Sequence, residues 1–382
     1  MSAYVDPTAP AVEYCESAAG SFPERAEAYQ AMAADLKDKL WHELSVKLLA
    51  FFHSHSDIAL YDKVVLPVAK HLYPLHVAEM AAAVANSETD VAAAKAVLEN
   101  LLQQQQDEKE DILSKLFLQS KLSLLDESPE ALAQIRANAD LLLPMAPSSE
   151  VALVSAAHYH AALAYHLRHG PPEAFYEQAK SFLEFAPVSY QDTIHVRATL
   201  DYRKLAVDWC LAALTGDGIY NLGEVLEQND LLNLIQGTPD AWLVSLVQAC
   251  ADGDLAQLDA LTSNNTVPQA LAQRATHVRE KVTLLGLVNW ILQKKDEKKY
   301  TFAEISESLH IPLDQVEWVL MRALSVHLVE GWMDQVDQTV MITWVRPRTL
   351  SKEQIQALAD RFGAWATKVK ETQSFMKEAV VV

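Results

Sequence analysis

Up to residue 328, apolar residues recur mostly at spacings of three and four, which is the period of amphipathic helices. Polar breaks divide this pattern into helix-sized pieces, and their spacing predicts that the helices are paired. The breaks are HSHSD at 53–57, NSETD at 86–90, DESPE at 126–130, PMAPSS at 144–149 and HGPPE at 169–173. The chain is therefore predicted to be mostly α-helical.

One helical pair is especially clear. Residues 148–169 and 173–186 form two apolar-periodic stretches joined at Gly-Pro-Pro, with small residues where the helices would cross. Their length and alanine placement are tetratricopeptide-like, although the repeat period is irregular and the full motif is absent. We predict an N-terminal α-solenoid of helical hairpins.

The pattern changes in VEGWMDQVDQTVMITWV at 329–345, where two apolar and β-branched runs flank a polar DQVDQ. This pattern is typical of a β-hairpin. Upstream lie a predicted helix at 275–293, a short extended KYTF, and helices at 303–309 and 315–328. This is the order of a winged helix-turn-helix, with the hairpin as its wing and Trp318 and Arg322 on the exposed face of the last helix.

The second strand of the wing is apolar and carries neither charge nor proline, which are the usual protections of a sheet edge. One interpretation is that this edge pairs with a strand of a partner. The candidate partner-binding residues are Val340, Met341, Ile342, Thr343 and Trp344. The alternative is that Val340, Ile342 and Trp344 pack inward on the three helices.

A last helix is predicted after Arg346-Pro347-Arg348, beginning at a capping box of Ser351 and Gln354. Its apolar residues recur at spacings of three and four, as in a heptad seam. The seam consists of Ile355, Leu358, Phe362, Trp365 and Val369. It is predicted either to join helices of other subunits or to pack back on its own domain.

Composition narrows the classes of partner. The 382 residues carry 31 basic and 51 acidic side chains, a formal charge of −20, and residues 296–345 hold nine acidic and three basic ones. Such a surface repels phosphate backbones and anionic lipid, so nucleic acid and membrane are not expected as partners. Three widely spaced cysteines and no apolar run of about 20 residues indicate an intracellular protein, in the cytoplasm and nucleus.

Candidate catalytic and metal-binding patterns are weak. His53, His55 and Asp57 lack the further ligands of a metal site and are interpreted as a loop. The histidines at 158, 160, 166 and 169 are interpreted as a solvated helix end, and Gly216-x-Gly218 as a turn after a helix. Hydrolase and nucleotide motifs are absent, so no catalytic residue, cofactor or metal ion is predicted.

The run IPLDQVEWVLMRALSVHLVEGWMDQVDQTVMITWVRPR resembles the end of a PCI domain, the helical and winged-helix module of the proteasome lid, the signalosome and a translation initiation factor. Three further stretches, KLWHELSVKLLAF, ALTGDGIYNLGEVL and ITWVRPRTLSKEQI, resemble one family of PCI subunits in the lid of the 26S proteasome. The resemblance extends from about Lys39 to Val369.

The resemblance implies a non-catalytic scaffold subunit of the 26S regulatory particle, which supports complex assembly for ubiquitin-dependent protein degradation. Its implied partners are other PCI subunits and the metalloprotease-fold subunits of the lid, and contact with a neighbouring ubiquitin receptor is left open. The alternative is a PCI subunit of the signalosome or of an initiation factor, with nucleic-acid contact.

The predicted organisation has four parts. These are a flexible tail at 1–25, helical repeats at 26–172, a PCI domain at 173–345 and a C-terminal bundling helix at 346–382. The PCI domain divides into a helical part at 173–274 and a winged helix at 275–345.

Overall fold

The computed structural model describes residues 8–55, 57–88, 90–105, 111–126, 131–186, 201–264, 267–294, 298–349 and 352–380. Contacts divide the chain into two compact units, Met1–Leu205 and Ala206–Val382. The predicted class is confirmed, since the described residues are mostly helical with one small antiparallel sheet.

The first unit is built from helices in succession. They are α1 (Thr8–Ser21), α2 (Ala26–Asp38), α3 (Trp41–Ser54), α4 (Ile58–Leu60), α5 (Leu66–Val68), α6 (Pro74–Ser87), α7 (Val91–Gln105), α8 (Ile112–Leu125), α9 (Ala131–Leu142), α10 (Ser149–His169) and α11 (Pro172–Phe185). A π-helical segment, Tyr61–Val65, joins α4 to α5, and 3₁₀ turns lie at Pro23–Arg25 and Ala69–His71.

Helices α10 and α11 form the hairpin that the sequence predicts. The Ser148 hydroxyl caps α10 by accepting from the Val151 N–H at 3.2 Å, and Pro172 begins α11, where its missing N–H costs nothing. Small residues on α10 are buried, as Ala157 and Ala161 show, and Phe182 of α11 is fully buried. The division at Leu205 keeps this hairpin in one unit, whereas the sequence-based boundary at 172/173 separated its helices.

The expected tail at 1–25 is a helix from Thr8 onward. Ala11, Cys15 and Ala18 are buried on α1, which packs against α2. These small side chains lie three or four residues apart, yet they give a weak apolar signal in sequence. Packing against α2 stabilises a helix that the local pattern alone does not specify.

The second unit contains the remaining helices and the sheet. Helix α12 (Tyr202–Thr215) crosses the division, and after it come α13 (Gly223–Glu227), α14 (Asn229–Asn233), α15 (Trp242–Asp252), α16 (Leu255–Asn264), α17 (Gln269–Gln273), α18 (Ala275–Gln293), α19 (Phe302–Leu309), α20 (Leu313–Ser325) and α21 (Lys352–Val380). The strands are β1 (Lys299–Thr301), β2 (Val329–Asp334) and β3 (Thr339–Val345).

The winged helix forms as predicted. A capping box begins α19, in which the Thr301 hydroxyl accepts from the Glu304 N–H and the Glu304 carboxylate accepts from the Thr301 N–H. On α20, an apolar stripe faces inward and is buried. The stripe consists of Val316, Val319, Leu320 and Ala323.

Strand β3 is the central strand of the sheet, in the order β1-β3-β2. Strand β1 pairs with it antiparallel in a register that matches Tyr300 with Val340, and β2 pairs on its other side. The Ile342 N–H also donates to the Lys298 carbonyl at 2.9 Å. The expectation that β3 offers an open edge is therefore wrong over residues 339–342.

Candidate protein-interaction surfaces

Helix α21 carries a continuous apolar face that is exposed to solvent. Every side chain described between residues 355 and 376 is exposed, and Trp365 keeps 65% of its surface accessible. The predicted seam residues Ile355, Leu358, Phe362 and Val369 are exposed in the same way. A stripe of this size is unusual on the surface of a monomer and typically marks an interaction site.

The start of α21 agrees with the predicted position, since the helix begins at Lys352. Ser351 and the side chain of Gln354, the proposed capping box, lie outside the described residues.

The predicted wing residues separate into two groups. Val340 and Ile342 are buried in the winged helix, as the inward-packing alternative expects, and Met341 is half-buried on the opposite face of the sheet. Thr343 and Trp344 are exposed, and the Thr343 hydroxyl donates to the Glu330 carbonyl at 3.0 Å. The exposed residues lie at the end of β3.

Strand β2 is an outer strand of the described sheet. Its pairing with β3 is irregular between Glu330 and Gly331, and Glu330 and Asp334 are exposed along it. Bulges and charges reduce the tendency of an edge to add another strand. Trp332 of β2 is 58% exposed opposite Met341. Contact through the side chains of this face is thus better supported than extension of the sheet.

The outer face of α20 holds Trp318, which is 50% exposed. One turn further on, the Arg322 guanidinium donates to the Glu280 carboxylate of α18 at 2.8 Å, and this hydrogen bond raises the pKa of Arg322. Arg322 therefore already has an anionic partner within the domain. This pairing makes a phosphate contact by Arg322 less favourable.

His53 lies in the last turn of α3, so the loop interpretation is wrong for it, whereas His55 and Asp57 lie between α3 and α4. Asp57 caps α4 by accepting from the Leu60 N–H at 3.1 Å, and its other oxygen accepts from the Tyr29 hydroxyl at 3.0 Å. The His55 ring stacks on Phe51. Among the described residues, no group of three or more His, Cys, Asp or Glu side chains is placed to hold a metal ion.

The second histidine group differs from the expectation of a solvated helix end. His158 and His160 are buried on α10, His166 is partly buried, and His169, at the helix end, is exposed. Burial lowers the pKa of His158 to about 4 and that of His160 to about 3. The prediction was wrong for these two histidines because α8, α9 and α11 all pack against α10, and His160 lies 5.9 Å from the ring of Phe182 on α11.

The Gly216-x-Gly218 turn ends α12, as predicted. Gly218 has a φ of 76°, and the Gly216 N–H donates to the Ala212 carbonyl at 2.7 Å. Sequence reasoning missed Lys281, whose buried ammonium group donates to the carbonyls of Ala213 at 2.6 Å and Gly216 at 3.0 Å. Lys281 of α18 thus satisfies carbonyl groups that are left unpaired at the end of α12. No local sequence pattern predicts a contact between residues so far apart in the chain.

Helical repeats, a winged helix and an exposed terminal helix define a helical-repeat protein of the PCI class. Within the described part of the chain, every helix is too short or too polar to cross a lipid bilayer.

Comparison with protein families agrees with this class of protein. Residues 28–247 match the family of PSD13 N-terminal repeats, and residues 263–344 match the PCI domain. The chain belongs to the PSD13 family.

Some relatives resemble the chain over nearly its full length and others over less than half of it. The 26S proteasome non-ATPase regulatory subunit 13 homolog B of Arabidopsis thaliana is 29% identical over 95% of this chain and 96% of its own. The 26S proteasome non-ATPase regulatory subunit 13 of Dictyostelium discoideum is 24% identical over 97% of both chains. The 26S proteasome regulatory subunit RPN9 of Saccharomyces cerevisiae is 35% identical over 44% of this chain and 43% of its own.

Proposed function

We propose that this protein is a non-catalytic scaffold subunit of the lid of the 26S proteasome, acting in ubiquitin-dependent protein degradation in the cytoplasm and nucleus. The exposed apolar seam of α21 carries the proposal. The three functional parts of the protein in this proposal are the helical repeats, the PCI domain up to residue 345, and α21 as a C-terminal bundling helix. The names of its full-length relatives support a regulatory role in the proteasome.

The seam is suited to a bundle of helices. Phe362 and Trp365 lie on one face with Val369 a turn later, so a partner helix can cover all three at once. Burying each large apolar side chain contributes about 1.5–3 kcal/mol. The side chains described from 355 to 376 are exposed in the isolated chain, which favours an intermolecular partner over packing on the same domain.

The wing supplies a second contact in this proposal. Trp332, Thr343 and Trp344 are accessible for lateral contact with a neighbouring PCI subunit, whereas Val340 and Ile342 support the wing from inside. Tryptophan is enriched among residues that dominate binding energy at interfaces. The metalloprotease-fold subunits of the lid are proposed partners of the α21 bundle.

Removal of α21 tests the proposal. A chain ending at residue 350 is expected to keep the melting temperature of the full protein, because the described side chains of the seam are exposed. It should fail to enter the lid, as measured by co-purification with the other subunits after reconstitution. Normal incorporation, or a large fall in the melting temperature of the isolated chain, would overturn the proposal.

A matched pair of point variants controls for nonspecific effects. Trp365→Asp places a carboxylate in the seam, and Thr367→Asp places one on the opposite face of the same exposed helix. Trp365→Asp should weaken incorporation by more than about tenfold, the effect of losing a central aromatic anchor. Thr367→Asp should leave incorporation near that of the unaltered protein, and equal effects of the two would contradict a seam.

A further inference from the structure

The linker between the wing and α21 is held by groups from distant parts of the second unit. Arg348 donates through Nη1 to the Asn289 amide oxygen at 2.5 Å and through Nη2 to the Ala251 carbonyl at 3.2 Å. The Asn289 amide nitrogen donates to the same Ala251 carbonyl at 2.9 Å. Helices α15 and α18 together therefore bind one guanidinium group of the linker.

The next residue is held equally closely. The backbone N–H and the hydroxyl of Thr349 both donate to the Asn221 amide oxygen, at 3.2 and 2.9 Å. The Asn221 amide nitrogen donates to Glu224 at 3.0 Å, which fixes the orientation of the amide. Asn221 lies 128 residues before Thr349, so this contact joins the GDGIYNLG and WVRPRT stretches in space.

Gly223 provides the space for this contact. A methyl group at residue 223 would overlap the Thr349 hydroxyl. Gly223 is the first residue of α13 and lacks the left-handed backbone that would itself favour glycine. The glycine is therefore explained by the approach of Thr349 and not by its own conformation.

We propose that Asn221, Gly223 and Asn289 form a linker socket that sets the position from which α21 leaves the PCI domain. Helix α21 begins three residues after Thr349, and its described side chains from 355 to 376 are exposed. The socket thus holds the linker three residues before α21 begins. These three are positioning residues for assembly, and the inference rests on the proposed function of α21.

Gly223→Ala is the sharpest test of the socket. Alanine is ordinarily favourable at a helical position, so any loss comes from displacement of Thr349. We expect incorporation into the lid to fall by about tenfold, the effect of losing hydrogen bonds to the linker. Gly20→Ala, in α1 with open space around it, is the matched control and should have no effect.

A distance measurement separates positioning from general stability. Spin labels at Ser325→Cys and Ala359→Cys report the placement of α21 relative to α20 in the full chain, and the native cysteines are buried. Gly223→Ala and Asn221→Ala should broaden the distance distribution, whereas Gly20→Ala should leave it unchanged. An unchanged distribution in both socket variants would overturn the inference.

A double variant identifies the contact. Thr349→Gly removes the side chain that a methyl group at residue 223 would overlap, and it also removes the hydroxyl bond to Asn221. Adding Gly223→Ala to Thr349→Gly should therefore cause no further broadening of the distribution and no further loss of incorporation. A full additional loss would show that Gly223→Ala acts by another route. If the chain ending at residue 350 enters the lid normally, the proposed function fails. If that chain is excluded while Gly223→Ala enters normally, only the socket fails.

Discussion

At the scale of single residues, buried ionisable groups set the response of the first unit to pH. His160 lies 5.9 Å from the ring of Phe182, and nearby Lys121 adds to the effect of burial on the histidine pKa. Burial also lowers the pKa of Lys121 to about 8 and raises the pKa of Glu79 to about 7. The folded protein therefore keeps His160 neutral at acidities that protonate the unfolded chain.

His160→Phe is predicted to flatten the loss of stability in acid. The folded pKa of about 3 lies below the unfolded value near 6.5, so the contribution of His160 to stability is lost as pH falls below about 6.5. Between about pH 6 and pH 5, the unaltered protein should lose about 1 kcal/mol more than the variant. Denaturant unfolding at several pH values measures this difference.

Comparing the unaltered protein with His160→Phe isolates the effect of the histidine. The raised pKa of Glu79 changes the pH dependence of stability in the opposite direction, but it does so in both proteins. His169→Phe, at the exposed end of the same helix, should leave the pH dependence unchanged. A His160→Phe variant with the same acid sensitivity as the unaltered protein would contradict the assignment.

At the scale of elements, α15 and α18 meet backbone to backbone. Gly253 ends α15 with a φ of 76°, and a side chain there would overlap the backbone of Gly286 on α18. The carbonyl oxygen of Gly253 would lie 3.1 Å from a methyl group at residue 286. This approach places Ala251 and Asn289 side by side, where they bind Arg348.

Gly253→Ala is predicted to destabilise the second unit by about 2–4 kcal/mol, combining left-handed strain with a collision at the helix contact. Gly237→Ala is the matched control, because Gly237 has a φ of 80° but open space around it. It should cost only about 1 kcal/mol. Chemical denaturation of both variants gives the difference, and equal losses would show that the helix approach contributes nothing.

At the scale of the whole molecule, charge distinguishes a proteasome-lid subunit that binds proteins from a PCI subunit that contacts nucleic acid. A formal charge of −20 opposes every phosphate contact, and on the winged helix Arg322 is paired with Glu280. The exposed Glu330, Asp334 and Asp337 of the wing repel a nucleic-acid backbone as well. These features favour a protein partner for the module.

We accordingly predict no saturable binding of single-stranded or duplex RNA at about 0.15 M salt, measured by fluorescence anisotropy. Glu330→Lys combined with Asp337→Lys should introduce weak, salt-dependent binding, since it replaces two exposed wing carboxylates with cations. Tight binding by the unaltered protein, with a steep salt dependence, would instead support a role of the initiation-factor type.

Features that depend on neighbours within one element could be predicted from the sequence, whereas features that depend on contacts between distant elements could not. The α10–α11 hairpin, the buried stripe of α20 and the seam of α21 are periodic patterns within single elements, so they could be predicted locally. The burial of His158 and His160 could not, because it depends on the packing of α8, α9 and α11 against α10. Helix α1 was missed for the same reason, since its small residues are buried by α2.

By itself, the sequence determined a helical-repeat protein with an acidic winged helix and an apolar terminal helix, because periodicity and charge are properties of the chain alone. Only the tertiary structure decided that β3 is central, since its partner β1 lies about forty residues upstream and has only three residues. It also decided that Thr349 meets Asn221, and that the seam of α21 remains exposed. Pairings between distant residues depend on how the helices pack, and no local pattern specifies them.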